Sequence, residues 1–259
     1  MVQTTDIESD QQASAFYDKL APDYDTMTGF EKRFVLERPF FRVLVERYAI
    51  GSAIDAGCGT GFHSILLAQL GVRVTAVDVS RKMLERTKLH ADTLHVKLRT
   101  VESDFLRLPG RVDKKFDAVF SMGNTLAHIL SRSELLSSLQ SFAHVLQADG
   151  VLFLQTLNYD RILRTREQIQ SVKEQDGVTF VRYYQFEAAT VRFNILKITK
   201  SPDGLQHTLN SIELRPILRD EILPLLEEAG FTEIRTYGGI SMDEFVPESS
   251  KDLVLLATK

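Results

Sequence analysis

Ala53-Ile54-Asp55-Ala56-Gly57-Cys58-Gly59-Thr60-Gly61-Phe62-His63 runs from a short apolar strand through a glycine-rich turn into a helix. Such a turn bends sharply and lets a ligand lie against bare backbone. It also aims the free N–H groups of a helix start at the ligand. Dinucleotide sites usually space their glycines G-x-G-x-x-G. Here Gly57, Gly59 and Gly61 read G-x-G-x-G, with Asp55 and Ala56 just before them. A carboxylate at Asp55 sits badly beside a pyrophosphate. It suits an ammonium group, held directly or through water.

The chain beyond this turn alternates strands and helices. Val72–Val77 is a strand rich in β-branched residues. It closes on Asp78, placed to accept hydrogen bonds from two ribose hydroxyls. Val79 follows, Ser80 is a predicted N-cap, and Met83 lies in the helix predicted over Arg81–His90. Val96–Glu102 is a strand leading to Asp104, a candidate for an adenine amino group, and Phe105, a candidate for stacking on the ring. Phe116–Ser121 is a strand that delivers Ser121, Met122 and Gly123 to the mouth of a cleft. Ser131–Leu146 is predicted helical and closed by Asp149-Gly150, with the next strand over Val151–Thr156. This rhythm predicts a parallel sheet with helices on both faces. An ammonium at Asp55, a ribose at Asp78 and an adenine at Asp104 together fit S-adenosylmethionine, with Ala56, Gly57, Gly59, Gly61, Val79, Met83, Phe105, Ser121, Met122 and Gly123 as further candidate cofactor contacts. Two plainer roles stay open: Asp78 as a helix cap, and Asp104 as a solvated loop carboxylate.

Residues 1–12 are polar and expected to be disordered. Ala13–Tyr48 reads as helical, broken at Ala21-Pro22-Asp23. Phe16, Tyr17 and Leu20 share one face; Phe34, Leu36, Phe40, Phe41, Leu44 and Val45 mark a second helix, kinked or restarted at Pro39. After Thr156 a helix is expected over Tyr159–Ser171. Three strands without long helices between them follow: Val178–Glu187, Thr190–Thr199 and Gln206–Leu214. Ser201-Pro202-Asp203-Gly204 is a turn signal between the last two. A helix over Arg219–Ala229 and strands over Phe231–Tyr237 and Leu253–Ala257 resume the α/β pattern. The expected division is a tail and helical lid (1–48), a core (49–157 and 215–259) and an inserted antiparallel cap (158–214).

The 259 residues are 44% hydrophobic and 25% charged, with a net charge of −4. That supports a full core and argues against electrostatic binding to nucleic acid. Cys58 is the lone cysteine, so no internal disulfide forms; a reducing compartment, the cytoplasm, is expected. No basic, apolar leader is visible, and no run reaches the roughly 18–20 apolar residues of a membrane span. No H-x-x-x-H or cysteine cluster is present, so no metal is expected.

The strings DAGCGTG, VTAVDVS, ESDF and FDAVFS resemble the motifs of class I S-adenosylmethionine-dependent methyltransferases (EC 2.1.1.-). The resemblance implies a Rossmann-like, seven-stranded, mostly parallel sheet ending in an antiparallel hairpin. It also implies S-adenosylmethionine as methyl donor and S-adenosylhomocysteine as product. Gly123-Asn124-Thr125-Leu126-Ala127-His128 and Asn158-Tyr159-Asp160-Arg161-Ile162-Leu163 resemble the glycine N-methyltransferase group. That implies Asn124 near the transfer centre and an inserted antiparallel cap. It also implies an N-terminal segment that covers the cofactor, with Tyr17 a candidate cofactor contact and Tyr24 a candidate catalytic residue that polarises the substrate or shields the sulfonium. His128 is the candidate general base. One departure stands out: an arginine that normally binds the substrate carboxylate precedes the N-Y-D string in that group, and here the position is Leu157. The expected reaction is in-line methyl transfer to nitrogen or oxygen of a small molecule, with positioning supplying about 7–11 kcal/mol. A protein or RNA acceptor, and a non-catalytic cofactor-binding role, are the alternatives. Homo-oligomerisation is compatible with all three.

Overall fold

A computed structural model of the protein describes residues 4–175, 177–202 and 204–259. The N-terminal segment is three helices: α1 (Thr4–Leu20), α2 (Tyr24–Thr28) and α3 (Phe30–Arg47). The disorder expected at the start is thus replaced by helix from Thr4 onward, while residues 1–3 lie outside the described residues. The chain does not restart at Pro39, which sits inside α3. The carbonyl that its ring leaves unbonded belongs to Val35, on a face where Val35 and Leu36 are exposed to solvent. Leu36 therefore does not join the core, and Phe30, Phe41 and Leu44 make the buried stripe instead.

The core alternates β1 (Ser52–Ala56), α4 (Phe62–Gln69), β2 (Arg73–Asp78), α5 (Arg81–Thr93), β3 (Arg99–Glu102), β4 (Phe116–Ser121), α6 (Arg132–Val145) and β5 (Leu146–Leu157). Ser80 caps α5 as expected, its Oγ accepting from Met83 N at 3.1 Å. Asp149-Gly150 does not close α6: the helix ends at Val145 and both residues lie within β5. Asp149 takes φ 61° there, in the irregular stretch where β4–β5 pairing jumps register between Phe116 and Ala118.

After α7 (Tyr159–Thr165) come β6 (Ile169–Gln175), β7 (Val178–Phe186), β8 (Val191–Ser201) and β9 (Gly204–Leu214), an antiparallel sheet in that order. The cap therefore has four strands where three were expected. The expected helix stops at Thr165, because β6 takes Ile169–Gln175 as an edge strand paired to β7. Ser201 pairs with Gly204, so β8 and β9 form a tight hairpin; Asp203 in its turn lies outside the described residues. The chain ends with α8 (Arg219–Glu228), β10 (Thr232–Tyr237) and β11 (Asp252–Thr258).

The main sheet has the order β10-β11-β5-β4-β1-β2-β3, parallel except for β11, which runs antiparallel to both β5 and β10. Every residue of β1 is buried, as a central strand covered on both faces requires. Leu135, Leu139 and Phe142 of α6 and Ile222, Leu225 and Leu226 of α8 pack in one apolar cluster; Phe41 and Leu44 of α3 and Ile65 and Leu66 of α4 pack in another. A third cluster matters for the site. Phe16, Leu20 and Met27 of the lid meet Phe180, Tyr184 and Ile195 of the cap, with Met83, Ala127 and Tyr159 of the core. At about 1.5–3 kcal/mol for each fully buried large side chain, this cluster holds lid, cap and core together.

Candidate active site

The order β3-β2-β1-β4-β5 reverses direction between β1 and β4, and ligands of open α/β sheets bind at the carboxyl ends of strands beside such a switch. The turn after β1 is tied down by its neighbour: Gly57 N and Cys58 N both donate to Val77 O, at 2.8 and 2.9 Å. Gly57 has φ +77°, and a Cβ there would lie 2.2 Å from Cγ2 of Thr125. Gly59 also has positive φ, but a Cβ there would meet only the Tyr24 ring at 3.7 Å. The first glycine lets the loop after β4 approach; the second leaves open space facing the lid. Gly61 is the N-cap of α4 and packs on Thr87.

A cleft of about 1040 Å³ opens over this turn. Of the candidate cofactor residues, Tyr17, Gly57, Gly59, Asp78, Val79, Asp104, Phe105, Met122 and Gly123 line it, as do Tyr24 and His128. Ala56, Met83 and Ser121 are buried behind the wall and do not line it. Asp55 is also behind the turn, 1% exposed, its Oδ2 accepting from Ser64 Oγ at 2.6 Å. Burial pushes the Asp55 carboxyl above its ordinary range.

Asp78 closes β2 and accepts from Gly59 N and from Ser80 N, each at 2.8 Å. Burial raises its carboxyl to about 6 against those donors. Each oxygen keeps a lone pair for a further donor such as a sugar hydroxyl. Asp104 accepts from Arg107 N at 2.7 Å, and Phe105 packs edge-on against Phe142.

The lid is bolted over the cleft. Asp25 pairs with Arg86 at 2.6 Å and with His90 at 3.1 Å. Asp18 accepts from Ser80 Oγ at 2.6 Å, and Ser14 Oγ donates to Val79 O. Tyr17 meets His128 Nε2 at 2.8 Å. His128 Nδ1 is buried without a partner, and burial lowers the imidazole to about 4, so the ring is neutral at pH 7.

A second cavity of about 700 Å³ lies under the cap. It shares Tyr17, Tyr24, Thr28, Gly123 and His128 with the first, so the two meet at these residues. Asn124 and Leu157 line the second cavity only. Asn124, at φ 69°, donates through Nδ2 to Tyr159 Oη at 2.9 Å and accepts from Leu157 N at 3.1 Å.

Sequence reasoning missed Arg33, Glu134 and Arg182. Arg33 lines the cleft, stacked 4.0 Å from the Phe62 ring and paired with Glu37 at 2.6 Å, while Glu37 also meets His63 at 3.1 Å. The i,i+4 spacing of Arg33 and Glu37 was a visible signal, but its position beside the glycine turn was not. Glu134 lines the cleft from α6, and Arg182 lines the second cavity from β7. Neither carries a local motif.

A methyltransferase domain family matches residues 53–150. The chain is 31% identical over 232 residues to the glycine/sarcosine N-methyltransferase of Aphanothece halophytica, covering 89% of this chain and 85% of that protein. It is 30% identical over 247 residues to the glycine/sarcosine/dimethylglycine N-methyltransferase of Actinopolyspora halophila, covering 92% of this chain and 40% of that protein. Its fold is similar to that of an S-adenosylmethionine-dependent methyltransferase from Clostridium acetobutylicum, with a TM-score of 0.79 at 18% identity, covering 93% of this chain and 98% of that one. It is similar too to the sugar N-methyltransferase KedS8 from Streptoalloteichus, with a TM-score of 0.67 at 18% identity and 91% and 92% coverage. The glycine turn, the acid closing β2 and near full-length similarity agree: the chain belongs to the family of S-adenosylmethionine-dependent methyltransferases that includes the glycine/sarcosine N-methyltransferases.

Proposed function

We propose that this enzyme transfers a methyl group to an amine nitrogen of a small molecule seated under the cap. The observation that carries this reading is the junction of the two cavities at Tyr17, Tyr24, Thr28, Gly123 and His128. The first cavity suits S-adenosylmethionine. Asp78 takes the ribose hydroxyls, Gly59 gives the methionine end bare backbone to lie on, and Asp104 and Phe105 take the adenine. Arg33 takes the methionine carboxylate, and Asp55 lends negative field behind the ammonium. When bound, the cofactor supplies an electrophilic methyl group on a sulfonium.

The chain's own work is positioning. Gly123 and the lid tyrosines bring the acceptor nitrogen in line and exclude water. His128, neutral and bonded to Tyr17 through Nε2, holds that tyrosine at the border of the two cavities. Asn124 acts as a positioning residue, since its amide already spans Leu157 N and Tyr159 Oη. No metal enters this reading; among the described residues no group of three or more His, Cys, Asp or Glu is gathered to hold one. No described helix is long and apolar enough to cross a membrane.

Calorimetric titration with S-adenosylhomocysteine, followed by transfer of labelled methyl to a panel of small amines, tests the proposal. Binding with turnover on the panel is expected. Binding with transfer only to proteins would overturn the small-molecule assignment, and no binding would overturn the cofactor site.

A further inference from the structure

The second cavity holds a positive charge that the described protein does not neutralise. Arg182 comes from β7, half-buried, with Nε donating to Ser171 Oγ at 2.7 Å. Its terminal nitrogens have no carboxylate or hydrogen-bond partner among the described residues. Arg33, Arg86 and Arg215 each meet a carboxylate, whereas Arg182, like Arg38 and Arg161, has none among the described residues, and of these three it is the one that lines the cavity. Burial lowers the Arg182 guanidinium from its ordinary value, and the titratable groups around it are the phenols of Tyr184 and Tyr24 and the ammonium of Lys173.

Tyr184 gives a second, independent sign. Two residues along a strand share a face, so Arg182 and Tyr184 both turn toward the cavity. Tyr184 is 2% exposed, and its hydroxyl is buried without a partner. A buried phenol without an acceptor is costly to leave so. A guanidinium fork and a phenol donor beside one another match a carboxylate: two oxygens, several lone pairs, one negative charge.

The rest of the lining is mixed, with Asn124, His128, Gln155 and the lid tyrosines on one side and an apolar wall on the other. Phe16, Leu20 and Met27 from the lid and Phe193, Ile195 and Leu214 from the cap form that wall. Leu157 adds a further apolar side chain at the end of β5. Seven apolar side chains from α1, α2, β5, β8 and β9 thus form a wall that a two-carbon amino acid, which has no side chain, would leave unused.

Resting on the methyltransferase reading above, we propose that the acceptor is an amine bearing a carboxylate on an apolar body larger than glycine. Arg182 and Tyr184 receive the carboxylate, the aliphatic and aromatic walls take the body, and the amine reaches the junction at Gly123 and His128. Arg182 is a binding and specificity residue; it moves no proton and forms no bond with the methyl group.

The test uses the full chain saturated with S-adenosylhomocysteine and three probes: phenylacetate, acetate and phenylethanol. Calorimetry on the native protein should show phenylacetate binding at least about tenfold tighter than either of the others. Arg182→Gln should erase that preference while leaving S-adenosylhomocysteine affinity unchanged. Arg182→Lys keeps the charge and loses the fork. It should weaken phenylacetate by about threefold or more, without moving phenylethanol, and it serves if the glutamine variant does not fold. Equal binding of phenylacetate and phenylethanol, or an undiminished preference in the variants, overturns the carboxylate assignment. Acetate binding as tightly as phenylacetate overturns the apolar body. Failure to bind S-adenosylhomocysteine at all would instead strike the cofactor reading.

Discussion

The phenol oxygen of Tyr17 and Nε2 of His128 stand 2.8 Å apart, joining positions separated by 111 residues. One belongs to α1 of the lid, the other to the turn that follows β4, and both line both cavities. The pair is neutral on both sides. Burial pushes the Tyr17 phenol well above its ordinary value and lowers His128 to about 4. This contact fixes the lid over the place where the cavities meet.

Tyr17→Phe keeps the ring, which packs edge-on against Phe16 and Tyr24, and deletes the bond. His128 then loses its only side-chain hydrogen-bond partner among the described residues, since Nδ1 has none. The expected loss is about 1–3 kcal/mol of stability. That corresponds to roughly 2–4 °C of melting temperature per kcal/mol. Turnover should fall about tenfold or more, while S-adenosylhomocysteine affinity stays nearly constant. Calorimetric melting and labelled-methyl kinetics measure these effects; an affinity loss as large as the turnover loss would make Tyr17 mainly a cofactor ligand.

Asp78→Ala should weaken S-adenosylhomocysteine at least about tenfold, the loss of roughly 1.5 kcal/mol of charge-assisted hydrogen bonding. The pH dependence has a definite sign. Asp78 titrates near 6 in the free protein because burial disfavours its charge. Ribose hydroxyls donate to the ionised form, so affinity should be full above that value and fall as the pH drops through it. Near pH 5 the loss should be about tenfold. Titrations at several pH values check this, and a flat profile down to pH 5 would remove Asp78 from the sugar site.

Gly57→Ala and Gly59→Ala should fail in different ways. At Gly57 the added carbon lies 2.2 Å from Thr125, so the loop after β4 must move and the fold loses stability. At Gly59 the nearest atom is 3.7 Å away on Tyr24, so the methyl fits but fills the cleft, with only the cost of positive φ. Gly57→Ala should melt several degrees lower than Gly59→Ala, and Gly59→Ala should lose S-adenosylhomocysteine affinity out of proportion to its stability. Parallel losses in both variants would show that Gly59 does not face the cofactor.

Local features of the site were legible where chemistry and sequence lie together. The turn from Gly57 to Gly61, the acid at the end of VRVTAV and the Ser80 cap each depend on neighbours a few residues away. The cap was harder to read. Ile169–Gln175 is mostly exposed and polar, so it offers no apolar stripe, and only pairing with β7 makes it a strand. Asp149-Gly150 looked like a helix end because that pair favours turns, yet register with β4 draws it into β5. Leu36 followed helical spacing but faces solvent, since Phe41 and Leu44 already fill the contact with α4.

By itself the sequence determined the α/β alternation, the glycine turn and the acid after β2, because these follow from propensity and short-range geometry. Only the tertiary structure decided what surrounds the acceptor. Arg182 and Tyr184 on β7 share a cavity with side chains from α1, α2, β5, β8 and β9, and of these only the β8 residues, across one hairpin, are near them in the chain. A cavity wall is a long-range object: its charge and its shape come from packing, which no local pattern encodes.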